Sequence, residues 1–321
     1  MKTTVTQNNW RDVTPYPRTI FDILNKSFVQ LQEKHPDSFP NLRNSKDLLL
    51  GSDYSGESPD APYYVFSYLI TSLENWSEWE YARLIIRQKI FSDSRRMSFK
   101  NLGDNQRRKA LIPFLEAANS LNGLSFSIAI NKKCKSLFSH DSPLDLENPD
   151  FIPYRKWKPD VLVKAFTIIH FLSFLIAGLC EQGQNIYWFT DEDNIAANDQ
   201  RVCELTNLVA WIINDYISFP LGHLRCGTSC CDNGTRQIED FIAIPDLIAG
   251  ALSEQLKMNA NALKIPNVFW IYSGDFSEKA KTITWWFSQC GFPLKRLFCT
   301  INPCENGIGE EVSFFHFYNQ C

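Results

Sequence analysis

Apolar positions along the chain recur with two periods, and the alternation between them predicts the order of elements. Ile20, Ile23, Leu24, Phe28 and Leu31 fall at helical spacing, predicting a helix over Thr19–Glu33 within an otherwise polar, proline-containing start. Asp47 to Asp53 is a short apolar run ending in an acid. The turn signal Ser55-Gly56 and a second run, Tyr63 to Thr71, follow, so two antiparallel strands open the fold. Trp76–Ile90 reads as a helix and Arg96–Leu102 as a third strand. Asp104–Leu121 reads as a helix capped by Asp104 and kinked by Pro113, and Leu124–Asn131 as a further strand.

The connection Ser136–Lys158 carries the clusters Ser142-Pro143-Leu144-Asp145 and Asn148-Pro149-Asp150, whose prolines and short polar side chains interrupt regular structure. Val161 to Cys180 is then mostly Leu, Ile, Phe and Val, long enough to span a bilayer. Lys164, His170 and Ser173 interrupt it, and a polar turn and another apolar run follow, which is the pattern of a buried helix, a turn and a strand. No membrane association is expected. Beyond it the pattern predicts a strand Ile186–Thr190, a helix Asp199–Ile217, an extended piece Leu221–Arg225 and a helix Gln237–Leu256. A strand from Val268, a helix and two strands close the chain. The sum is an α/β protein: a mixed sheet flanked by helices, with an N-terminal appendage over 1–45, a core over 46–260 with a helical insertion near 136–182, and a C-terminal α/β extension over 261–321.

Length and charge narrow this only a little. With 321 residues, 44% of them hydrophobic, the chain can bury a large core, and a formal net charge of -4 provides no global basic field. Contact with DNA or RNA therefore has to rest on a local patch. The start lacks the apolar segment of a secretory signal, so the expectation is a reducing cytoplasm, with the ten cysteines mostly free thiols. His223, Cys226, Cys230 and Cys231 have the donor types of a zinc site. Their spacing is irregular and lacks a second cysteine pair, so reduced or buried thiols explain them better and zinc is not expected.

The chemistry lies in the carboxylates. Asp53 ends an apolar strand, Asp191 follows directly on Tyr187-Trp188-Phe189-Thr190, and Asp246 interrupts the apolar run Phe241 to Gly250, where an ionised acid is costly without a partner. Strand ends of an α/β sheet converge at one edge, and a helix can bring a third acid alongside. Carboxylates gathered in this way suit Mg2+ or Mn2+ and metal-assisted phosphodiester hydrolysis. Each acid also has a plainer use. Asp53 suits a turn before Ser55-Gly56, Asp191 and Asp193 suit the start of a polar loop, and Asp246 suits a cap after Pro245.

Asp53-Tyr54-Ser55-Gly56-Glu57 resembles the Asp-Glu-Ser-Gly opening of the prokaryotic domain-of-unknown-function 3800 family, within the ribonuclease-H-like superfamily. Ile244-Pro245-Asp246-Leu247-Ile248-Ala249-Gly250 is similar to its closing helix, Gln-Leu-Ala-Asp-Leu-Ile-Ala-Gly. The order of elements also fits, over about residues 47 to 256. The resemblance implies a ribonuclease-H-like fold and a divalent-metal nuclease, with Asp53 as first-strand ligand, Asp191 as central-strand acid and Asp246 as helical acid. Two positions depart from the family pattern: Tyr54 stands for Glu, and Ser98-Phe99-Lys100 lacks the acid that the family often places before a Lys near the third strand. Either Glu57, Asp193 or Glu239 substitutes, or catalysis is lost and the chain is an interaction module for a protein or nucleic acid partner.

A local concentration of cations, Arg83 to Lys109, could track a phosphate backbone through Arg95, Arg96, Lys100, Arg107 and Arg108, although such charge commonly marks only a solvated helix face. The family's prokaryotic members make defence against foreign nucleic acid, within a larger system, a plausible setting.

Overall fold

The computed structural model describes residues 9–13, 20–91, 93, 95–134, 149–232, 234–258, 276–304 and 309–315. Seven strands form one sheet in the order β5-β4-β1-β2-β3-β6-β7. They are β1 (Asp47–Ser55), β2 (Tyr63–Ser72), β3 (Gly123–Asn131), β4 (Asn185–Thr190), β5 (Leu224–Thr228), β6 (Leu294–Pro303) and β7 (Glu310–Phe315). β2 is antiparallel to both β1 and β3, and β7 is antiparallel to β6. β4 runs parallel to β1, β5 to β4, and β6 to β3. The chain is thus α/β with a mixed sheet, and five of its strands point the same way.

Strand alternation divides the core in two. One face packs on α1 (Ile20–Lys34), α4 (Pro159–Leu179) and α5 (Asp199–Ile213), and receives Leu48, Leu50, Tyr68, Ile186 and Trp188 from the sheet. The other packs on α2 (Ser77–Lys89), α3 (Asn105–Ala118), α6 (Gln237–Met258) and α7 (Glu278–Ser288), and receives Leu49, Val65, Leu69, Ala129 and Phe298. Helix α4 is apolar on all sides because it is buried on all sides, from Val161 through Leu179 with few breaks. It is the one described helix with the length and composition to cross a membrane, and 83% of its apolar window lies inside the molecule.

The N-terminal helix is seated in this same core. Phe28 meets Trp10 at 4.6 Å, Phe126 at 5.5 Å and Phe174 at 5.6 Å between ring centres. At the other end of the chain, β6 and β7 extend the one sheet beyond β3.

The strand expected at Arg96–Leu102 does not form. Its backbone is held by side chains instead of by a ladder: Arg87 donates to the Arg95 carbonyl at 2.7 Å, Arg107 to the Arg96 carbonyl at 2.7 Å, and Phe99 N–H donates to Asp246 at 2.7 Å. The result is a loop with one 3-10 turn, Phe99–Asn101, between α2 and α3. α3 is capped by Asp104, which accepts from the Gln106 and Arg107 amides, and it continues through Pro113. The expected strand at Val268 and both turn clusters of the 136–158 connection fall on or against residues outside those described.

Candidate functional site

Asp53 lies near the end of β1, and Ser52 is paired with Thr190 on parallel β4, so Asp191 emerges one residue beyond that pair, next to Asp53 at the sheet edge. Alternation turns Asp53 toward the α6 face, with Leu49 and Gly51. On α6, Glu239, Ala243, Asp246 and Gly250 recur at intervals of three and four residues and present one stripe toward the loop that precedes α3. Asp53, Asp191, Glu239 and Asp246, with Arg96, Met97, Ser98, Asn101, Ile242 and Ala243, line one cleft of about 240 Å3.

Gly250 is required by this arrangement. A Cβ there would come within 2.3 Å of the Phe99 ring, so only glycine lets the 3-10 turn lie flat enough on α6 for the Phe99 amide to reach Asp246. Lys279 secures the turn from outside, donating to the Phe99 carbonyl at 3.1 Å with its ammonium 4.0 Å from the centre of the Phe99 ring.

The acids are not equivalent. Asp53 and Asp246 are buried side by side, so ionising both places two like charges in a poorly solvated site. Burial, then the charges of Asp246 and Asp191, hold Asp53 well above the usual carboxylate range. Burial also pushes Asp246 up, to about 6, against the Phe99 amide and the Asp53 carboxyl that favour its anion. Asp191 is more open and otherwise engaged. It accepts from Arg96 Nη2 at 2.9 Å, from the Glu192 amide at 3.0 Å and from Ser229 Oγ at 3.2 Å. Glu239 pairs with Arg236 and lies 3.6 Å from Arg96 Nε. A single guanidinium, Arg96, therefore sits between Asp191 and Glu239. Among the described residues no three His, Cys, Asp or Glu side chains converge closely enough to hold a metal ion as they stand.

Of the substitute acids, the fold brings only Glu239 into the cleft. Glu57 and Asp193 both pair with Lys164 of α4, at 2.6 and 2.8 Å, on the opposite face of the sheet. Tyr54 faces that way too: its hydroxyl is 2.6 Å from Ser52 Oγ and 3.3 Å from Thr190 Oγ1, and Lys164 lies 4.9 Å from its ring centre. The departure at Tyr54 thus falls outside the acidic cleft, because neighbouring strand residues point to opposite faces. Ser98 does line the cleft, and brings a hydroxyl where the family pattern has an acid.

The cationic segment separates into three groups. Arg83 is fully buried and bonds Asp240, Glu80 and the Thr235 carbonyl, and Arg87 joins it on Asp240, so these arginines tie α2 to α6 and are not a solvated face. Arg95 pairs with Asp93 and Asp104, and Arg107 holds the Arg96 carbonyl while lying 3.8 Å from Asp104. Arg96 alone of the group enters the cleft, while Lys100 and Arg108 are exposed. The pattern of positive charge did not reveal the buried Arg83–Asp240–Arg87 network. A carboxylate within the apolar α6 run was the available sign. Lys164, the charge that interrupts the apolar α4, was the sign of the second cluster.

His223, Cys226, Cys230 and Cys231 lie around β5; Cys226 is half-buried, Cys230 and Cys231 are exposed with free thiols, and Cys230 contacts Glu192. Compared with family models, curated proteins and solved structures, the chain gives no significant match in any of the three.

Proposed function

We propose that the chain is a divalent-cation-dependent nuclease of ribonuclease-H-like type that acts on DNA or RNA. One observation carries the reading: a strand end and a helix bring the carboxyls of Asp53 and Asp246 together beside Asp191 in a single cleft. Carboxyls gathered so closely leave a place for a positive charge. Donors that are all carboxylate oxygens suit a hard cation, Mg2+ or Mn2+. Asp53 and Asp246 would hold it, with Asp191 and then Glu239 next in reach. When bound, such a cation polarises a phosphate oxygen and lowers the pKa of the attacking water.

The chain's own residues prepare the rest. Phe99 N–H keeps the Asp246 carboxylate oriented, and Ser229 and the Glu192 amide do the same for Asp191. Arg96 stands at the cleft and meets an incoming phosphate first. The order of elements supports the ribonuclease-H-like reading: strands 3-2-1-4-5 lie side by side, and α6 follows the fifth strand to deliver Asp246. A reducing cytoplasm, and a role in prokaryotic defence with a protein partner in a larger system, belong to the same proposal.

A second reading has its own support. Arg96 on Asp191 offsets one charge from within and burial favours a neutral Asp53, as a catalytically silent module that binds nucleic acid or protein would require. Manganese-dependent cleavage of labelled single- and double-stranded DNA and RNA separates the two. Cleavage by the wild type, lost in both Asp53→Asn and Asp246→Asn, is expected. If the wild type cleaves none of the four substrates and calorimetry detects no Mn2+ binding, the silent module stands instead.

A further inference from the structure

Helices α2 and α3 pack side by side on the α6 side of the sheet, and their outer faces are more apolar than an amphipathic surface helix requires. In α2, Trp79, Arg83 and Ile86 are buried, and the outward positions, three and four residues apart, are Glu78, Tyr81, Leu84, Ile85 and Gln88. In α3, Ala110, Leu111, Phe114 and Ala118 are buried, and the outward stripe is Asn105, Arg108, Lys109, Ile112 and Glu116. Tyr81 is 71% exposed, Ile112 56% and Leu84 39%. Tyr81, Ile85 and Pro113, with Glu78 and Glu116, line one groove of about 430 Å3 between the two helices. Single exposed apolar side chains are ordinary on a protein surface, but these form a set shared by two packed helices.

The charges around this apolar centre are sorted by sign. The two helices run antiparallel: Arg87, near the end of α2, donates to the Arg95 carbonyl, and Arg95 pairs with Asp104, the cap of α3. At the other end Ser72, before α2, donates to the Asn122 carbonyl, beyond α3, at 3.1 Å. Glu78 and Glu116 therefore stand at one end of the face, and Lys89, Arg108 and Lys109 at the other. Among the described residues none of these five pairs with an opposite charge. A face with one sign of charge repels its own copy. A face with acid at one end and base at the other is complementary to its own copy turned by 180°.

We propose that this face binds a second copy of the chain, forming a dimer about a two-fold axis that lies in the interface, perpendicular to the helices, and crosses α3 near Ile112. Ile112 then packs on Ile112 of the partner subunit, and Tyr81 and Ile85 flank it. Glu116 faces Arg108 and Lys109 of the partner subunit, and the symmetry makes each contact twice. At 1.5 Å per residue Arg108 and Glu116 are about 12 Å apart along α3, which puts each about 6 Å from the axis, where antiparallel helices still touch. The dimer uses no residue of the acidic cleft and is independent of the nuclease reading.

Sedimentation equilibrium of the full chain tests this, with circular dichroism to check that each variant is folded. A monomer–dimer equilibrium is expected for the wild type. Ile112→Asp should raise its dissociation constant at least about tenfold. Glu116→Arg should weaken dimerisation at least about fivefold, and so should Arg108→Glu with Lys109→Glu. All four positions are exposed, and both reversals suit the helix dipole, so folding is not at stake. An equimolar mixture of the two charge variants should recover the wild-type constant within about threefold, because each supplies the sign that the other lacks. A wild type that stays monomeric to its highest soluble concentration overturns the proposal and leaves this face to a partner of other chemistry. A dimer that Ile112→Asp leaves intact, or charge variants that do not recover on mixing, overturns it as well.

Discussion

Asp246→Asn tests the central physical statement about the cleft, that burial keeps the Asp246 carboxyl protonated up to about pH 6. A carboxyl whose folded-state pKa lies above its unfolded value binds more protons folded than unfolded between those two values. Its stabilising contribution is therefore full below the unfolded pKa, near 3.9, and lost as pH rises through the folded one. For Asp246 the folded value is about 6 against 3.8, so the loss between about pH 4 and 7 is about 3 kcal/mol. Asp53, held well above the usual range, extends the decline to higher pH. Asparagine has the same shape, still accepts from the Phe99 amide and offers its own N–H to Asp53, but does not titrate. Urea unfolding at half-unit steps from pH 4 to 8 should therefore show a decline in the wild type that is about 3 kcal/mol shallower in Asp246→Asn. Mn2+ at pH 7 should stabilise the wild type, by about 2.7 kcal/mol at one hundred times its Kd, and not the variant. Parallel pH profiles within about 1 kcal/mol would refute the raised pKa of Asp246, whatever the nuclease assay reports.

Three further perturbations probe how the site is supported. Asp240→Ala leaves the fully buried Arg83 without its principal counter-charge and should cost about 3–5 kcal/mol in urea unfolding. Gly250→Val drives a side chain into the Phe99 ring; we expect about 1–3 kcal/mol of destabilisation and, on the nuclease reading, a loss of cleavage larger than that stability change alone explains. Phe28→Ala, in the segment expected to be an appendage, should cost about 3–5 kcal/mol in cooperative unfolding of the whole chain, because the ring packs among Trp10, Phe126 and Phe174. A separate low-stability transition for residues 20–34 would show that the helix is not part of the core.

How much of this was legible along the chain depends on the range of the interaction involved. Period-two and period-3.6 patterns are local, so β1, β2, β4, α5 and α6 are readable from residue order, and the acids at the ends of β1 and β4 and inside α6 stand out by their neighbours alone. Residues 96–102 alternate Met97 and Phe99 as a strand would, while the groups that claim the backbone there, Arg87, Arg107 and Asp246, lie elsewhere in sequence. Length and periodicity likewise leave open whether an apolar helix such as α4 is wrapped by protein.

By itself the sequence determined the order of elements, the α/β class and the three aspartates, because burial of apolar side chains imposes a repeat that each short segment carries within it. Only the tertiary structure decided which side of the sheet each acid faces, and hence that Glu239 joins Asp53, Asp191 and Asp246 while Glu57 and Asp193 go to Lys164. It also decided that Arg83 and Arg87 are buried partners of Asp240, and that Arg296 pairs with no carboxylate among the described residues. Charges find or miss one another across tens to hundreds of residues, through packing of whole elements, and no local pattern encodes those distances.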